Sequence, residues 1–298
     1  MKCVAQAVDA GQIDENHPEI AMTSPRLTPL AESLPSTVPF VGPESIARQR
    51  GRPFKARLGA NESGFGASPR VIETMARAAA ESWAYGDPEN FDIKAAIAAH
   101  LGVSAGHIAI GSGVDGLLGL AVRLFAGPGD VVVSSLGGYP TFNYHVAGYG
   151  AQLKSVPYKD DREDLAGLLD LAIKEQAKVV YLANPDNPMG TWHGGTAVAE
   201  FARALPPATL LILDEAYCET APAGALPDLP VETTNILRFR TFSKAYGLAG
   251  VRLGYAFGPR MLASAFDKVR DHFGVSRIAQ AAGIAALADI KFLGDVLE

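Results

Sequence analysis

The sequence is poor in cysteine. Cys3 and Cys218 are the only two among its 298 residues, too few for the disulfide framework of a small secreted domain. The six histidines and two cysteines show none of the short spacings that are typical of zinc sites. We therefore expect a protein of a reducing compartment that holds no metal ion.

A basic excess and long apolar runs are also lacking. The formal net charge is −6 and the pI is about 5.6, which argues against an extended nucleic-acid-binding surface. No stretch approaches the roughly 18 apolar residues of a membrane span. The first twenty residues lack the longer apolar region of a secretory signal. These absences predict a cytoplasmic protein that binds neither nucleic acid nor membrane.

The chain is rich enough in apolar residues, at 48%, to form a large core. Residues 1–55 are dense in Pro, Ser and Thr and read as an extended N-terminal arm. From about residue 70, helical patterns alternate with short apolar runs such as HIAIG, DVVVSS, KVVYLAN, TLLILDEAY and NILRFRTF. This alternation predicts an α/β fold with a doubly wound, mostly parallel sheet, in which ligands bind at the carboxyl ends of the strands.

The stretch RFRTFSKAYGLAGVRLGY, residues 238–255, surrounds one lysine with hydroxyls and an arginine. A lysine in a desolvating environment loses its proton easily and can act as an amine nucleophile. Thr241, Ser243 and Arg252 suit a phosphate group, and Lys244 suits an aldehyde. Pyridoxal phosphate carries both groups, and we take it as the expected cofactor.

The stretch IAIGSGVDG matches G-x-G-x-x-G, with glycines at positions 111, 113 and 116 between a predicted strand and a helix. Such a turn offers backbone N–H groups to an anion. A nicotinamide-binding turn would also need an acidic residue after the next strand, but DVVVSS ends in serines. An NAD-dependent oxidoreductase is therefore disfavoured. Taken alone, the motif is either a tight strand-to-helix turn or a phosphate site at Gly113, Val114 and Asp115.

Three further strand ends carry residues that have a structural and a functional interpretation. Tyr139 follows DVVVSS and is either a core residue or a stacking partner for a planar ring. Asn187 lies in NPDNPMG, which is a common kind of polar turn or an amide aimed at a ligand. Asp214 ends a buried strand, where a carboxylate needs a partner, and an N-cap or an ion pair is the ordinary explanation.

Taken together, these strand ends fit one ligand. Asp214 is expected to keep the ring nitrogen of pyridoxal phosphate protonated, so that the ring withdraws electrons from a substrate carbanion. Asn187 and Tyr217 are expected to hold the ring hydroxyl, while Lys244 forms the Schiff base and later transfers a proton. The expected phosphate ligands are Thr241, Ser243, Arg252 and the turn at Gly113.

These residues resemble those of the class I and II pyridoxal-phosphate aminotransferases, in particular the histidinol-phosphate aminotransferase branch. The resemblance runs through LGANESGFG, YGDPEN, GSGVDG, ANPDNPMGT, DEAYCE, TFSKAYGLAGVRLGY and VSRIAQAAGIAAL. It implies Tyr139 stacked on the ring and Lys244, Asp214 and Tyr217 as catalytic residues. It also implies a homodimer in which Tyr85 reaches the neighbouring subunit's cofactor phosphate, with small-molecule amino donors and 2-oxo acids as substrates.

The chain departs from the family pattern at several positions. Met189 stands where the family usually has threonine, and Gly137-Gly138 replace Pro-Thr before the stacking tyrosine. Asn61 and Phe65 are assigned to the substrate side, and Phe65 replaces a tyrosine of the substrate lid. The family pattern continues beyond FLGDVLE into a small domain that carries an arginine for the substrate's acidic group.

The resemblance therefore implies a division into three parts. Residues 1–55 form the arm and the start of a small domain, 56–285 form the cofactor-binding large domain, and 286–298 begin an incomplete C-terminal small domain. We expect such a chain to bind the cofactor but to transaminate weakly. A pyridoxal-phosphate decarboxylase or lyase of the same fold and a catalytically silent cofactor-binding protein are the open alternatives.

Overall fold

The computed structural model describes residues 25–36 and 41–298. Several helices begin after a residue that favours a helix start, such as proline, serine or aspartate. The side chains of Ser68 and Asp164, for example, accept a backbone N–H from the first turn of the helix that follows. The α-helices are α1 Pro29–Ser33, α2 Pro43–Arg50, α3 Pro69–Ala79, α4 Phe91–Leu101, α5 Gly113–Phe125, α6 Pro140–Gly148, α7 Leu165–Lys174, α8 Gly195–Ala204, α9 Arg260–Ala265, α10 Arg277–Ala288 and α11 Ile290–Leu297.

Seven strands form one sheet in the order β1-β7-β6-β5-β4-β2-β3. The strands are β1 Ile108–Gly111, β2 Val131–Ser135, β3 Gln152–Val156, β4 Val179–Ala183, β5 Leu210–Asp214, β6 Ile236–Thr241 and β7 Gly254–Phe257. Strands β3, β2, β4, β5 and β6 run parallel, whereas β7 is antiparallel to both β6 and β1. The predicted α/β fold with a mostly parallel sheet is confirmed.

The sheet differs from the sequence prediction at its two edges. HIAIG was placed among parallel strands, but β1 pairs only with β7, which is antiparallel to it. Strand β7 was not predicted because its four residues follow the glycine-rich stretch directly. Strand β3 was missed because it is an edge strand that is partly exposed along its whole length, so it shows no continuous apolar run.

The alternation of side chains along the strands separates the two faces of the sheet. On β4 and β5, Tyr181 and Ile212 point into a core shared with α5 and α6, while Leu182 and Leu213 pack against α7 and α8. Asp214 has the same parity as Ile212 and therefore lies on the α5 and α6 face, at the carboxyl end of β5.

The described residues bear on the predicted division of the chain without testing it. Short helices α1 and α2 lie in the predicted arm, which otherwise falls largely outside the described residues, as does Cys3. Cys218 is buried and forms no disulfide with any described residue. Helix α10 passes through the boundary placed at residue 285.

Within the described ranges, no helix is long and apolar enough to cross a bilayer, and a cytoplasmic location stays a prediction.

Candidate active site

A cavity of about 220 Å³ opens at the carboxyl ends of the parallel strands. This is where an open α/β sheet is expected to bind its ligand. Its lining combines residues that follow β1, β2, β4, β5 and β6. The residues that line it are Ala60, Glu62, Val114, Asp115, Tyr139, Tyr181, Ala183, Pro185, Asn187, Asp214, Ala216, Tyr217, Thr241, Ser243, Lys244, Ala249 and Arg252. Ten of the predicted cofactor residues are thus brought to one cavity.

The carboxyl group of Asp214 lines the cavity and is fixed there by two hydrogen bonds. The Tyr181 hydroxyl donates to its Oδ2 at 2.8 Å, and the Ala216 N–H donates to its Oδ1 at 2.9 Å. Burial is the main cause that raises the pKa of Asp214 to about 6, and these two hydrogen bonds oppose that rise. A cationic group in the cavity would favour the ionised carboxylate, so the site is suited to a protonated ring nitrogen.

The neighbouring carboxylate has a different environment. Glu215 is fully buried and pairs with Arg238 at 2.6 Å and with Arg240 at 2.8 Å. The structural ion pair considered for the Asp-Glu dipeptide is therefore made by Glu215, which needs its two partners because a buried charge without a partner is costly. No arginine in the part of the chain that the structure describes pairs with Asp214, which lines the cavity.

Lys244 reaches the cavity from the segment after β6. Its Nζ donates to the carbonyl oxygen of Ala60 at 2.9 Å and lies 5.4 Å from the centroid of the Tyr217 ring. Desolvation lowers the pKa of Lys244, and Asp214 and Glu62 partly oppose this effect. A lowered pKa increases the fraction of free amine, which is the nucleophilic form.

Thr241 and Ser243 form a compact hydroxyl pair beside Lys244. The Thr241 hydroxyl donates to the Ser243 Oγ at 2.9 Å and accepts the Ser243 N–H at 3.0 Å. Both residues are buried at the end of β6. Their arrangement leaves the Ser243 hydroxyl free to donate to an anion that lies in the cavity.

Arg252 and the Gly113 turn approach each other on the same side of the cavity. Arg252 adopts a left-handed conformation, with φ at 61°, and its Nη1 donates to the Ala249 carbonyl oxygen at 3.0 Å. Gly113 also has a positive φ of 84°, and a Cβ atom there would lie 2.4 Å from Arg252 Nη2. A glycine at this position thus makes room for the guanidinium beside the N-terminus of α5.

Replacing Gly113 by alanine is expected to displace the Arg252 guanidinium and to weaken phosphate binding. Loss of a charge-assisted hydrogen bond costs about 1.5–3 kcal/mol, so cofactor affinity should fall about 10- to 100-fold. Gly129→Ala is the matched control, because Gly129 has a φ of 91° but an added Cβ would meet no atom within 4 Å. Equal affinities of the two variants, measured by cofactor titration, would contradict this assignment.

Tyr139, Asn187 and Tyr217 surround the remaining walls of the cavity. The Tyr217 hydroxyl accepts a hydrogen bond from Asn61 Nδ2 at 2.9 Å, so Asn61 lies at the same site although it does not line the main cavity. Of the other aromatic residues after β2, Phe142 is fully buried against Tyr181, whereas Tyr144 is exposed. Only Tyr139 of the three is positioned to stack on a ligand.

Besides Gly113 and Asn61, two predicted residues do not line the cavity. Phe65 is 69% exposed and Tyr85 is 76% exposed, with its ring 4.5 Å from that of Phe273. Arg270 and Arg277 also point elsewhere, since they bond to Asp267 and Glu81 respectively. Within the described residues, this cavity is lined by one arginine, Arg252.

Sequence reasoning missed several residues of the site. Tyr181 orients Asp214 through a hydrogen bond. Its position inside an otherwise apolar strand could have indicated a polar partner nearby, because a buried tyrosine hydroxyl needs one. Ala60, which accepts a hydrogen bond from Lys244, and Glu62, which lines the same cavity, come from a segment far away in sequence, and no local pattern indicated their place in the site. In the described part of the chain, no three His, Cys, Asp or Glu side chains are grouped to hold a metal ion.

Comparisons with known proteins find relatives among the aminotransferases. A sequence model of the family "Aminotransferase class I and II" matches residues 55–298. The chain is 35% identical over 269 residues to histidinol-phosphate aminotransferase 1 of Bacillus cereus, covering 89% of this chain and 72% of that relative. It is 37% identical over 242 residues to histidinol-phosphate aminotransferase 2 of Pseudomonas fluorescens, covering 80% and 65%.

Solved structures give the same result. The histidinol-phosphate aminotransferase of Sinorhizobium meliloti, solved in complex with pyridoxal-5'-phosphate, is 58% identical with a TM-score of 0.88, covering 93% of this chain and 74% of that one. The aspartate aminotransferase of Thermus thermophilus with maleate has a TM-score of 0.79 at 21% identity, covering 92% and 76%. The second likeness shows the shared fold alone.

Proposed function

The chain belongs to the class I and II aminotransferases, and we propose that its cavity holds pyridoxal 5'-phosphate on Lys244 and transfers an amino group from a histidinol-phosphate-like donor to a 2-oxo acid. It is a pyridoxal-phosphate-dependent aminotransferase by family. The observation that supports the residue assignment is the convergence of a buried carboxylate, Asp214, and a desolvated amine, Lys244, on one cavity.

The chemistry of the donor set fits this cofactor. Ser243, Arg252 and the N-terminus of α5 provide donors for a phosphate at one end of the cavity. Asp214 provides an acceptor for a ring N–H on the floor, and Tyr139 provides a flat aromatic wall. The space that the absent Cβ of Gly113 leaves for Arg252 is consistent with an anion site built at this point.

Each of these residues has a defined task in the proposed reaction. When bound, pyridoxal phosphate supplies an electron-withdrawing ring that stabilises a carbanion on the amino donor. The Asp214 carboxylate would hold a proton on the ring nitrogen, and Asn187 and Tyr217 would hold the ring oxygen. Lys244 Nζ would hold the cofactor covalently and would serve as the base that takes and returns the proton at the donor carbon.

The donor class is tested by mixing the purified protein with a panel of amino acids, histidinol phosphate and 2-oxo acids, while the visible absorbance of the cofactor is followed. We expect histidinol phosphate to change the absorbance and a 2-oxo acid to restore it. The names of the relatives at 35% and 37% identity support this donor. Release of carbon dioxide from an amino acid without amino transfer would favour the decarboxylase instead.

A homodimer is the second part of the proposal. Tyr85 and Phe273 form an exposed aromatic pair, 76 and 48% exposed, with ring centroids 4.5 Å apart. Trp83 and Phe91, which are near Tyr85 in the sequence, are 88 and 68% exposed. Large exposed apolar patches are typical of interaction surfaces. The partner that we propose is a second copy, whose cofactor phosphate would accept a hydrogen bond from the Tyr85 hydroxyl.

We expect the protein to sediment as a dimer, and Trp83→Glu to shift it towards the monomer because a charge would be buried in the interface. Tyr85→Phe should keep the dimer and lower cofactor affinity, since it removes only the hydroxyl. Ile173→Glu, on the exposed face of α7, is the control that should change neither property. A monomeric wild type with full cofactor affinity would refute the interface.

A further inference from the structure

Glu163 is a buried acid that the proposed reaction does not use. It lies between β3 and α7 and is 3% exposed. Its Oε2 accepts the Ser135 hydroxyl at 2.5 Å, and its Oε1 accepts the Ala183 N–H at 2.9 Å. Ser135 ends β2 and Ala183 ends β4, so one side chain bridges the ends of two adjacent strands.

The loops after those two strands both contribute to the lining of the cavity. Tyr139 follows β2 by a short turn, and Asn187 follows β4 through the turn that begins at Asn184. The backbone carbonyl oxygen of Glu163 also contacts His193 Nε2 at 2.7 Å, and His193 N–H donates to Asn184 Oδ1. Glu163 is therefore connected to the β4 loop by both its side chain and its backbone.

No cation within residues 25–36 and 41–298 offsets the charge of Glu163. The titratable groups that face it are the carboxyls of Asp186 and Asp214, the hydroxyls of Tyr158 and Tyr181 and the ring of His193, which contacts its backbone. Among the described residues, Glu163 makes no ion pair. Burial is the main cause that raises the pKa of Glu163 to about 8; the hydrogen bonds from Ser135 and Ala183 oppose the rise, and the charges of Asp186 and Asp214 add to it.

We propose that Glu163 is a positioning residue that works as a neutral acid, fixing the Tyr139 loop to the Asn187 loop so that both hold the cofactor ring. A neutral carboxyl can donate a hydrogen bond to the Ser135 hydroxyl or accept one from it, and it can accept the Ala183 N–H at the same time. Ionisation would place a third negative charge beside Asp186 and Asp214 in a buried region, which favours movement of Glu163 towards water.

The inference rests on the proposed function for the roles of Tyr139 and Asn187. The first experiment titrates pyridoxal phosphate into wild type, Glu163→Gln and Glu163→Ala from pH 6 to pH 9. The glutamine amide can replace both hydrogen bonds without a charge, so its affinity at pH 7 should stay within about threefold of wild type. Alanine leaves the Ala183 N–H without a partner, and affinity should fall about tenfold or more.

The pH profile separates positioning from a general effect on packing. Above pH 8, affinity should fall in wild type relative to Glu163→Gln, because only wild type gains the buried charge. If the alanine variant at position 163 does not fold, Ser135→Ala tests the same bridge. It keeps Glu163 but removes its partner at the end of β2, and it should lower cofactor affinity. Glu200→Gln, on the exposed face of α8, is the control that should match wild type.

The second experiment needs no cofactor. Because the folded-state pKa is raised, the neutral form contributes stability below the unfolded pKa, and this contribution is lost as pH rises through about 8. Urea unfolding should therefore show wild type losing stability relative to Glu163→Gln between pH 5 and pH 8, with a constant difference above that range.

Parallel pH profiles for wild type and Glu163→Gln, in either experiment, would overturn the neutral-acid role. So would a glutamine variant that is as impaired as the alanine variant, since that result would require the negative charge. If wild type does not bind pyridoxal phosphate, the proposed function fails, while the unfolding experiment still tests the protonation of Glu163.

Discussion

Replacing Lys244 by alanine is expected to abolish covalent retention of the cofactor and to lower turnover by at least about 10²–10⁴-fold, the usual contribution of a positioned acid or base. The fold should survive, because the Nζ contacts of Lys244 are to the carbonyl oxygens of Ala60 and Asn61 on a loop. Removing a desolvated cation also removes its burial cost.

Single-turnover absorbance measurements with and without added amine check this prediction. Lys174→Ala, on the exposed face of α7, is the matched control and should keep wild-type turnover. A Lys244→Ala protein that retained the cofactor after dialysis and turned over at the wild-type rate would place the covalent attachment elsewhere.

Replacing Asp214 by asparagine is expected to lower turnover by about 10²–10³-fold, the cost found when a preorganised electrostatic partner is removed from a reacting centre. The change keeps the size of the side chain and an acceptor for the Ala216 N–H, but it removes the charge that holds a proton on the ring nitrogen. Cofactor affinity should fall less than turnover, because the larger part of the loss concerns the transition state.

The pH dependence of cofactor binding gives an independent check on Asp214. The pKa of this carboxyl is raised to about 6, mainly by burial, so it becomes neutral as pH falls through that value. Wild type should therefore lose cofactor affinity below pH 6, whereas Asp214→Asn should not show this step. Asp170→Asn on α7 is the control. Near-normal turnover of Asp214→Asn would make Asp214 a structural residue.

The central part of the site could be predicted from the sequence because each of its residues follows the end of a buried strand. Lys244, Asp214, Asn187 and Tyr139 are recognisable as polar or aromatic residues that stand directly after apolar runs. Parallel strands bring their carboxyl ends to one edge, so residues distant in sequence meet there. Local patterns and one topological rule were therefore sufficient to predict that these residues meet at one cavity, while their roles stay a prediction.

The residues that were missed depend on contacts between distant segments. Ala60 accepts a hydrogen bond from Lys244 across 184 positions, and Glu163 bridges Ser135 and Ala183 without any recognisable motif. The pairing of Arg238 and Arg240 with Glu215 depends on the register of β6 against β5, which no single stretch reveals. The exposure of Tyr85 and Phe65 likewise follows from tertiary structure.

The measurement that tests the account most directly is reduction of the purified protein with borohydride in the presence of pyridoxal phosphate, followed by proteolysis and peptide mapping. The account predicts visible absorbance before reduction and a cofactor label on the peptide that contains Lys244. A label fixed to any other lysine, or a bound cofactor that borohydride fixes to no lysine, would contradict it.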